Sequence, residues 1–336
     1  MTLDRLALGG LTAVALALAG CGGRQSSAST MVPVAGDAQG QARRASGSSG
    51  DVLYVLMSRK AYIVSLPGLT KLHVMNGTYG NVAVSDPNNG NVFLGNCCEF
   101  AHGSKVPFAH FSGVSGEAAH DAAFDPTTDA LAFSMGKEPS NGSGWIAVYV
   151  NLNHKPTLYT DPSVKYYGGL AYDGHGDLFV LGSDASGSGS VIGELPKGES
   201  HFTNFIPSRS DGFGDASQVF WDGSYIVIRA RSKFDRVAFS GSSVSVVGQT
   251  LLKGAFNPWY SGFWLQDGTI YGPHLGDAPH NGRYLGLWHY PQGGSAYAVM
   301  KDLNSNQKER ITAVTLSVAP SAARATAART SVSDRS

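Results

Sequence analysis

The feature that most restricts the fold is a repeat, in which one pattern occurs five times between residues 81 and 274. Each copy is an alternating apolar run, a turn centred on an aspartate, and a second apolar run, which is the pattern of a β-hairpin. Hairpins repeated at intervals of about 40–50 residues are typical of β-propeller blades. Since aspartate side chains accept backbone hydrogen bonds in tight turns, we predict a structural role for them. The turn aspartates are Asp86, Asp125, Asp173, Asp222 and Asp267, spaced by 39, 48, 49 and 45 residues.

Two further strands per period complete a four-stranded blade. Third strands are predicted at 106–112, 144–151, 190–196, 234–240 and 285–291, and more polar fourth strands at 201–206, 243–249 and 296–303. The chain ends supply one more blade, with 51–58, 61–67 and 71–76 as its second, third and fourth strands and 311–320 as its inner strand.

We therefore predict an all-β fold, a six-bladed β-propeller with four-stranded antiparallel blades, whose last blade is closed by the N- and C-terminal strands. Closure removes free sheet edges, which otherwise pair with other chains. Seven blades is the alternative. Dividing residues 51–320 by six gives about 45 residues per blade, which matches the observed spacing better.

Composition agrees with a turn-rich β-domain, because 43 of the 336 residues are glycine and only 15% are charged. The body from residue 51 to residue 320 carries 18 basic and 22 acidic residues. A mildly acidic body argues against a nucleic-acid partner, since phosphate backbones attract basic surfaces. We expect a monomer.

The N-terminus has the pattern of an export signal, and we assign residues 1–20 to a signal peptide. The uncharged run Leu6–Gly20 has 15 residues, short of the ~20 that span a membrane. It ends in Leu18-Ala19-Gly20-Cys21, which resembles the bacterial lipobox. That resemblance implies cleavage before Cys21, lipidation of its thiol, and attachment to the periplasmic or surface side of the cell envelope. An ordinary secretory signal and a retained anchor are the alternatives.

Two segments flank the predicted propeller. Residues 21–50 begin with the lipidated cysteine and continue as a Gly/Ser-rich stretch without an aromatic residue, which predicts a disordered, flexible tether. Residues 321–336 are small, polar and basic, and they predict a disordered tail.

One repeat carries a family resemblance. The run GLAYDGHGDLFVLGSD (169–184) resembles the repeat of NHL-repeat and gluconolactonase-like propellers, and weaker copies cover nearly the whole body. The resemblance implies ligand binding at the central mouth, which is lined by residues before each inner strand and by loops between second and third strands. The residues before the inner strands are Tyr79, Asn81, Glu117, His120, Asp121, Tyr166, Tyr167, Asp215, Gln218, Trp259, Tyr260 and Arg310. The loops add Cys97, Cys98, Glu99, His102, Asp184, His274, Asp277, His280 and Arg283.

Three groups among these residues suggest chemistry. Glu117, His120 and Asp121 lie within five residues and suit a divalent metal or acid–base catalysis, unless they only cap neighbouring turns. The spacing of His274, Asp277 and His280 suits zinc or calcium, and Asp184 is a further candidate ligand. Aromatic residues beside glycines, at 165–169 and 257–264, suit stacking against a sugar, or else packing between blades.

Adjacent cysteines follow the second strand of the first complete hairpin. Export would place Cys97 and Cys98 where disulfides persist. They are candidates for a vicinal disulfide, with free thiols or metal capture as alternatives.

The motifs favour a binding protein over an enzyme. Gluconolactonase-like enzymes hold a metal through Glu, Asn and Asp, but the corresponding stretch here, TYGNVAVSD, has Tyr79 and Asn81 and no Glu. The chain also has no G-x-S-x-G, H-E-x-x-H or P-loop motif. Our first hypothesis is a non-enzymatic module without a cofactor that binds a small molecule, a glycan or a protein. A metal-dependent hydrolase or lactonase, and an envelope assembly lipoprotein, are the alternatives.

Overall fold

The structure, a computed structural model, describes residues 50–95, 98–111, 118–136, 144–152, 154–187, 189–207, 213, 216–256, 262–276, 282–301, 303 and 309–320. The predicted signal peptide, the tether up to residue 49 and the tail therefore lie outside the described residues. The described residues form 25 β-strands in six sheets.

Each sheet is one blade, and we number the blades along the chain from the first complete one. The first three strands, β1 (Val52–Met57), β2 (Lys60–Ser65) and β3 (Thr70–Asn76), belong to blade 6. Blade 1 has β4 (Ala83–Ser85), β5 (Val92–Leu94), β6 (Cys98–Phe100) and β7 (Pro107–His110). Blade 2 has β8 (Ala118–Phe124), β9 (Leu131–Gly136), β10 (Trp145–Tyr149) and β11 (Thr157–Tyr159). Blade 3 has β12 (Val164–Tyr172), β13 (Leu178–Asp184), β14 (Ser190–Leu195) and β15 (Thr203–Phe205).

The remaining blades contain the longer edge strands and the chain terminus. Blade 4 has β16 (Ala216–Trp221), β17 (Ile226–Ala230), β18 (Lys233–Ser240) and β19 (Ser243–Lys253). Blade 5 has β20 (Trp264–Gln266), β21 (Thr269–His274), β22 (Tyr284–His289) and β24 (Ala298–Met300), and the two-residue β23 (Gly294–Ser295) adds to the edge of blade 4. The inner strand of blade 6 is β25 (Ile311–Ser317). The six-bladed prediction is confirmed.

Blade 6 is closed by the two ends of the chain, as predicted. Strand β1 pairs antiparallel with β25 on one side and with β2 on the other, and Val55 lies opposite both Val314 and Tyr62. This pairing makes the last blade complete and closes the ring.

The hydrophobic core consists of six clusters, and each lies between two neighbouring blades. Strand β1 shows how the sequence builds them. Leu53, Val55 and Met57 enter the cluster between blades 5 and 6, whereas Val52, Tyr54 and Leu56 enter the cluster between blades 6 and 1. Successive side chains of a strand point to opposite faces. A blade covered on both faces therefore needs apolar residues at every position, as in VLYVLM.

The ring has two faces, which we name by their loops. The mouth face is where the inner strands begin and the second strands end, and the turn face is where the inner strands end in the aspartate turns. Four turn aspartates act as predicted: Asp86, Asp125, Asp173 and Asp222 each accept hydrogen bonds at 2.8–3.0 Å from the backbone N–H groups of residues two to four positions later.

The strand order of blade 1 differs from the prediction. Residues 106–112 were expected to form the third strand, but Cys98–Phe100 takes that place and Pro107–His110 is the fourth strand. Phe100 is buried against Tyr54 and Tyr79, whereas Phe108 is 57% exposed. The alternating run at 106–112 is thus that of an edge strand. Consequently His102, predicted at the mouth, lies in the turn between the third and fourth strands on the turn face.

His102 instead lies at the seam where the ring closes. Its Nε2 donates to the carbonyl oxygen of Gly50 at 2.9 Å, and its Nδ1 lies 2.7 Å from Ser317 Oγ. Ser317 Oγ, which is fully buried, also donates to the carbonyl oxygen of Gly90. One imidazole therefore connects blade 1 with both chain ends of blade 6.

We expect His102→Ala to lower the free energy of unfolding by about 1–3 kcal/mol, since it removes two hydrogen bonds and leaves a buried hydroxyl with fewer partners. His201→Ala is the control, because His201 is exposed and contacts its neighbour Ser200; we expect a change within about 0.5 kcal/mol. Urea unfolding followed by tryptophan fluorescence measures both. Equal effects of the two substitutions would show that the seam does not depend on His102.

Candidate binding site at the mouth face

The structure describes only part of the predicted mouth. Of the predicted residues, Glu117, Asp215, Trp259, Tyr260, Asp277, His280 and Cys97 lie outside the described residues. Their roles stay predictions, and so does the grouping of Glu117 with His120 and Asp121. The predicted mouth residues that the structure describes come from all six blades.

An aromatic pair lies where the inner strands of blades 2 and 3 begin. The rings of His120 and Tyr166 meet edge to face with centroids 4.9 Å apart. His120 Nε2 lies 3.3 Å from the carbonyl oxygen of Gly136, which fixes the imidazole against the second strand of its own blade. Both residues are half-buried. The pair therefore offers partly exposed ring surface held in a defined orientation.

Asp121, the residue after His120, connects blade 2 to blade 3. Its Oδ2 accepts the backbone N–H of Leu170 at 3.1 Å, and its Oδ1 accepts that of Ala122 at 3.0 Å. Ser134 Oγ completes the connection by donating to the carbonyl oxygen of Gly168 at 2.6 Å. A register shift between Ala119 and Asp121 lets the carboxyl reach the next blade.

The environment of Asp121 perturbs its ionisation. The residue keeps some accessible surface, but protein surrounds the carboxyl, and this burial raises its pKa to about 7 against the opposing effect of the Leu170 and Ala122 N–H groups. Desolvation disfavours the charged form because water no longer solvates it. Asp121 therefore changes charge near neutral pH.

Gln218 has the corresponding role between blades 4 and 5. Its Oε1 accepts the backbone N–H of Phe263 at 2.9 Å, and its Nε2 donates to the carbonyl oxygen of the same residue at 3.2 Å. The Gln218 backbone also contacts blade 3, because a Cβ atom on Gly169 would come within 2.6 Å of Gln218 Cα. Glycine is thus required where these two inner strands touch.

Arg229 was not among the predicted residues, yet it supports this part of the ring. It is fully buried, donates from Nη1 to Ser217 Oγ at 2.9 Å and Gln218 Oε1 at 3.1 Å, and lies over the Phe263 ring at 4.5 Å. Burial lowers the pKa of its guanidinium to about 9. The available signal was an arginine inside the apolar run YIVIRA, where a charge must find partners.

Tyr167 belongs to the core. It is fully buried in the cluster between blades 2 and 3, and its hydroxyl accepts the backbone N–H of Asp161 at 2.7 Å. Burial raises the pKa of this phenol. The placement leaves Tyr167 no surface for a ligand, whereas the adjacent Tyr166 keeps such a surface.

Trp264 narrows the central channel. It packs against the cluster between blades 5 and 6 and also against the cluster between blades 1 and 2. Since it starts the inner strand of blade 5, contact with the second cluster requires the indole to reach across the ring axis. The channel is thus partly filled below the mouth, which favours a shallow site over a through-passage.

Arg310, His274, Asp184 and Cys98 make contacts of their own. Arg310 is exposed and lies over the Phe256 ring at 5.2 Å. His274 stacks on Trp288 and its Nδ1 accepts the backbone N–H of Gly276 at 2.8 Å. Asp184 accepts the hydroxyl of Ser186 at 2.6 Å beside a shallow depression of about 250 Å³ on blade 3. Cys98 is disulfide-bonded, and its pairing with Cys97 stays a prediction.

Among the described residues, no three His, Cys, Asp or Glu side chains come together in a group that could hold a metal ion. The metal sets proposed from the sequence each include a residue outside the described part of the chain, so they remain untested. The described part of the chain contains no helix that is long and apolar enough to cross a membrane.

Comparison with known proteins supports the fold class. No protein-family model matches the chain, and no curated protein matches it in sequence. A protein of unknown function from Bacteroides caccae has a similar structure, with a TM-score of 0.55 and 10% identity, covering 80% of this chain and 99% of that one. At this identity the likeness shows the fold alone.

Two further solved structures are less similar. They are Kuenenia stuttgartiensis hydrazine synthase, with a TM-score of 0.46 and 9% identity over 72% of this chain and 74% of that one, and a candidate gluconolactonase, with a TM-score of 0.42 and 15% identity over 64% and 77%. We infer nothing about function from either. The chain is a six-bladed β-propeller.

The raised pKa of Asp121 predicts a pH-dependent stability. Because its pKa is higher in the folded chain, at about 7, than the ordinary value of 3.8, the folded state binds the proton more tightly. The stabilisation is complete below pH ~4 and is lost as the pH rises through ~7. Relative to Asp121→Asn, the wild type should lose about 2–3 kcal/mol of unfolding free energy between pH 5 and pH 8.

Glu199→Gln is the control for this measurement, because Glu199 is an exposed carboxylate in the turn that follows β14 on the turn face. Urea unfolding at the two pH values compares the three proteins. If Asp121→Asn and Glu199→Gln show the same pH dependence as the wild type, the carboxyl of Asp121 does not titrate in this range.

Proposed function

We propose that this chain is an exported, lipid-anchored β-propeller that binds a small molecule, a glycan or a protein at its mouth face without catalysing a reaction. The observation that carries the proposal is that some described mouth residues bond the blades together, whereas others present aromatic surface. Asp121, Ser134 and Gln218 are bound to the backbone of the neighbouring blade, and His120 and Tyr166 keep partly exposed ring surface beside them, against which a ligand can stack.

The bonds of the polar residues give them a structural role. Each carboxyl oxygen of Asp121 accepts a backbone N–H, and Gln218 Oε1 accepts from both Phe263 N and Arg229 Nη1. These bonds hold the inner strands in place, and a rigid site binds at a lower entropic cost.

The location of the protein is proposed from the sequence. The uncharged run before Cys21 and the lipobox-like residues Leu18-Ala19-Gly20 support export and lipidation. A lipid chain stabilises membrane association by ~0.8 kcal/mol per buried CH₂, and stable attachment takes more than one chain or signal.

The assembly-lipoprotein alternative expects a large apolar patch on one face. Among the described residues, the exposed large apolar side chains are instead distributed over all six blades and the loops that follow their strands: Leu72 and Val74 in blade 6, Val106 and Phe108 in blade 1, Val150 and Leu158 in blade 2, Ile206 in blade 3, Val246, Val247 and Leu251 in blade 4, and Leu275 and Tyr297 in blade 5. This distribution does not favour that role.

The binding proposal is tested with a fluorescently labelled full-length chain on an array of immobilised oligosaccharides and peptides. We expect Tyr166→Ala to weaken binding to the retained probe about ten-fold, since an aromatic contact contributes about 1.4 kcal/mol. The matched control is Tyr297→Ala, which disrupts a different stacked pair, with His289, at the rim of blade 5. Equal losses for both variants would place the binding surface elsewhere.

Metal content separates the binding module from the metal-dependent hydrolase. Elemental analysis of the untagged chain, purified without chelator, should show less than stoichiometric divalent metal. A stoichiometric ion that is lost on Glu117→Ala or Asp121→Ala would contradict the non-enzymatic proposal and direct the search to lactone and phosphoester substrates.

A further inference from the structure

Both ends of the described chain lie on the turn face. Strand β25 begins at the mouth face with Ile311 and ends at Ser317, which pairs with Val52 at the start of β1. Beyond this pair, the backbone N–H of Ala319 donates to Asp51 Oδ1 at 2.8 Å. Gly50, where the predicted tether enters the propeller, is bonded to His102 in a turn on the same face.

The candidate site lies at the other end of the inner strands. Tyr166 is near the start of β12, and this strand ends at Tyr172, immediately before the turn formed by Asp173. Tyr166 lies six residue steps before Tyr172, which is about 20 Å along the strand at ~3.3 Å per step. The point of attachment and the candidate site therefore lie on opposite faces of the ring, about 20 Å apart along its axis.

The mean end-to-end distance expected for the predicted tether is of the same order as this separation. Residues 22–49 number 28, and a flexible chain of that length has a mean end-to-end distance of about 30 Å. The face at which the tether enters therefore lies closer to the anchor, on average, than the opposite face. Charge adds little over the length of the tether, because Asp86, Asp125 and Asp173 on the turn face are buried and salt screens the exposed charges of that face, such as Asp129, beyond ~10 Å.

We infer that the propeller is held with its turn face toward the membrane and its mouth face away from it, so that the mouth takes ligands from the aqueous phase and not from the lipid bilayer. This inference rests on the proposed anchor at Cys21. It narrows the proposed ligand to a soluble molecule, or to the part of a larger molecule that projects into the aqueous space.

The two ends of β18 provide matched reporter positions in one blade. Arg231 precedes this strand on the mouth face, and Ser242 follows it on the turn face; both are exposed. A donor dye attached through an unnatural amino acid at either position leaves the native cysteines untouched. The lipidated full-length chain is reconstituted in phosphatidylcholine vesicles that carry an acceptor dye on the lipid headgroups, and energy transfer is measured.

Because the ends of β18 are separated by ~27 Å, we expect about two-fold more efficient transfer from position 242 than from position 231. Deleting residues 30–45 of the tether should widen this difference. The result that would overturn the orientation is equal transfer from both positions, or more efficient transfer from position 231, in chains that float with the vesicles. Such a result would leave the proposed anchor intact.

Flotation distinguishes this failure from failure of the anchor. The lipidated chain should float with the vesicles, whereas Cys21→Ser should stay in the soluble fraction. If the chain with Cys21 intact also stays in the soluble fraction, the proposed anchor is wrong, and the proposed orientation is then wrong as well.

Discussion

The hydrogen bonds between β1 and β25 hold together the first and last strands of the ring, and the other contacts of the propeller depend on them. Each hydrophobic cluster takes residues from two neighbouring blades, so a blade without a neighbour would expose one apolar face. Strand β25 contributes Ile311, Val314 and Leu316 to the cluster between blades 5 and 6, and Ala313 to the cluster between blades 6 and 1. Loss of this one strand would therefore open two clusters.

The mouth is a consequence of the closed ring. Asp121 and Gln218 reach the backbone of the next blade only because the inner strands lie close together, and the close contact at Gly169 shows how little space separates them. Trp264 reaches across the axis to a cluster on the other side of the ring. The rings of His120 and Tyr166 are thereby held at the edge of a partly filled channel. Asp121 and Gln218 are bonded to the backbone of the next blade, and the two rings keep partly exposed surface.

The architecture could be predicted from local sequence patterns, whereas the direction of individual side chains could not. Alternating apolar residues and Asp-centred turns depend on neighbouring residues, so the blades, the closure of blade 6 and the capping role of Asp86 could be inferred from the sequence. Direction depends on bulges, since one extra residue turns the following side chains to the other face. Tyr166 and Tyr167 are consecutive in the strand, so their side chains point to opposite faces, and the register shifts on both sides of the pair decide that Tyr167 is the buried one. The third and fourth strands of blade 1 were misassigned for a related reason. A third strand and an edge strand can show the same alternation of apolar and polar residues.

Hydrogen exchange of the full-length chain, followed by mass spectrometry of peptides from β25, β16 and β17, tests the closure of the ring most directly. Strand β17 is a central strand of blade 4, and β25 lies close to the C-terminus of the chain. Because β25 and the inner strand β16 of blade 4 each pair with one strand, closure predicts that the amides of residues 311–317 exchange as slowly as those of residues 216–221. Rapid exchange across 311–317 while 216–221 and the central strand at 226–230 stay protected would contradict the closed ring.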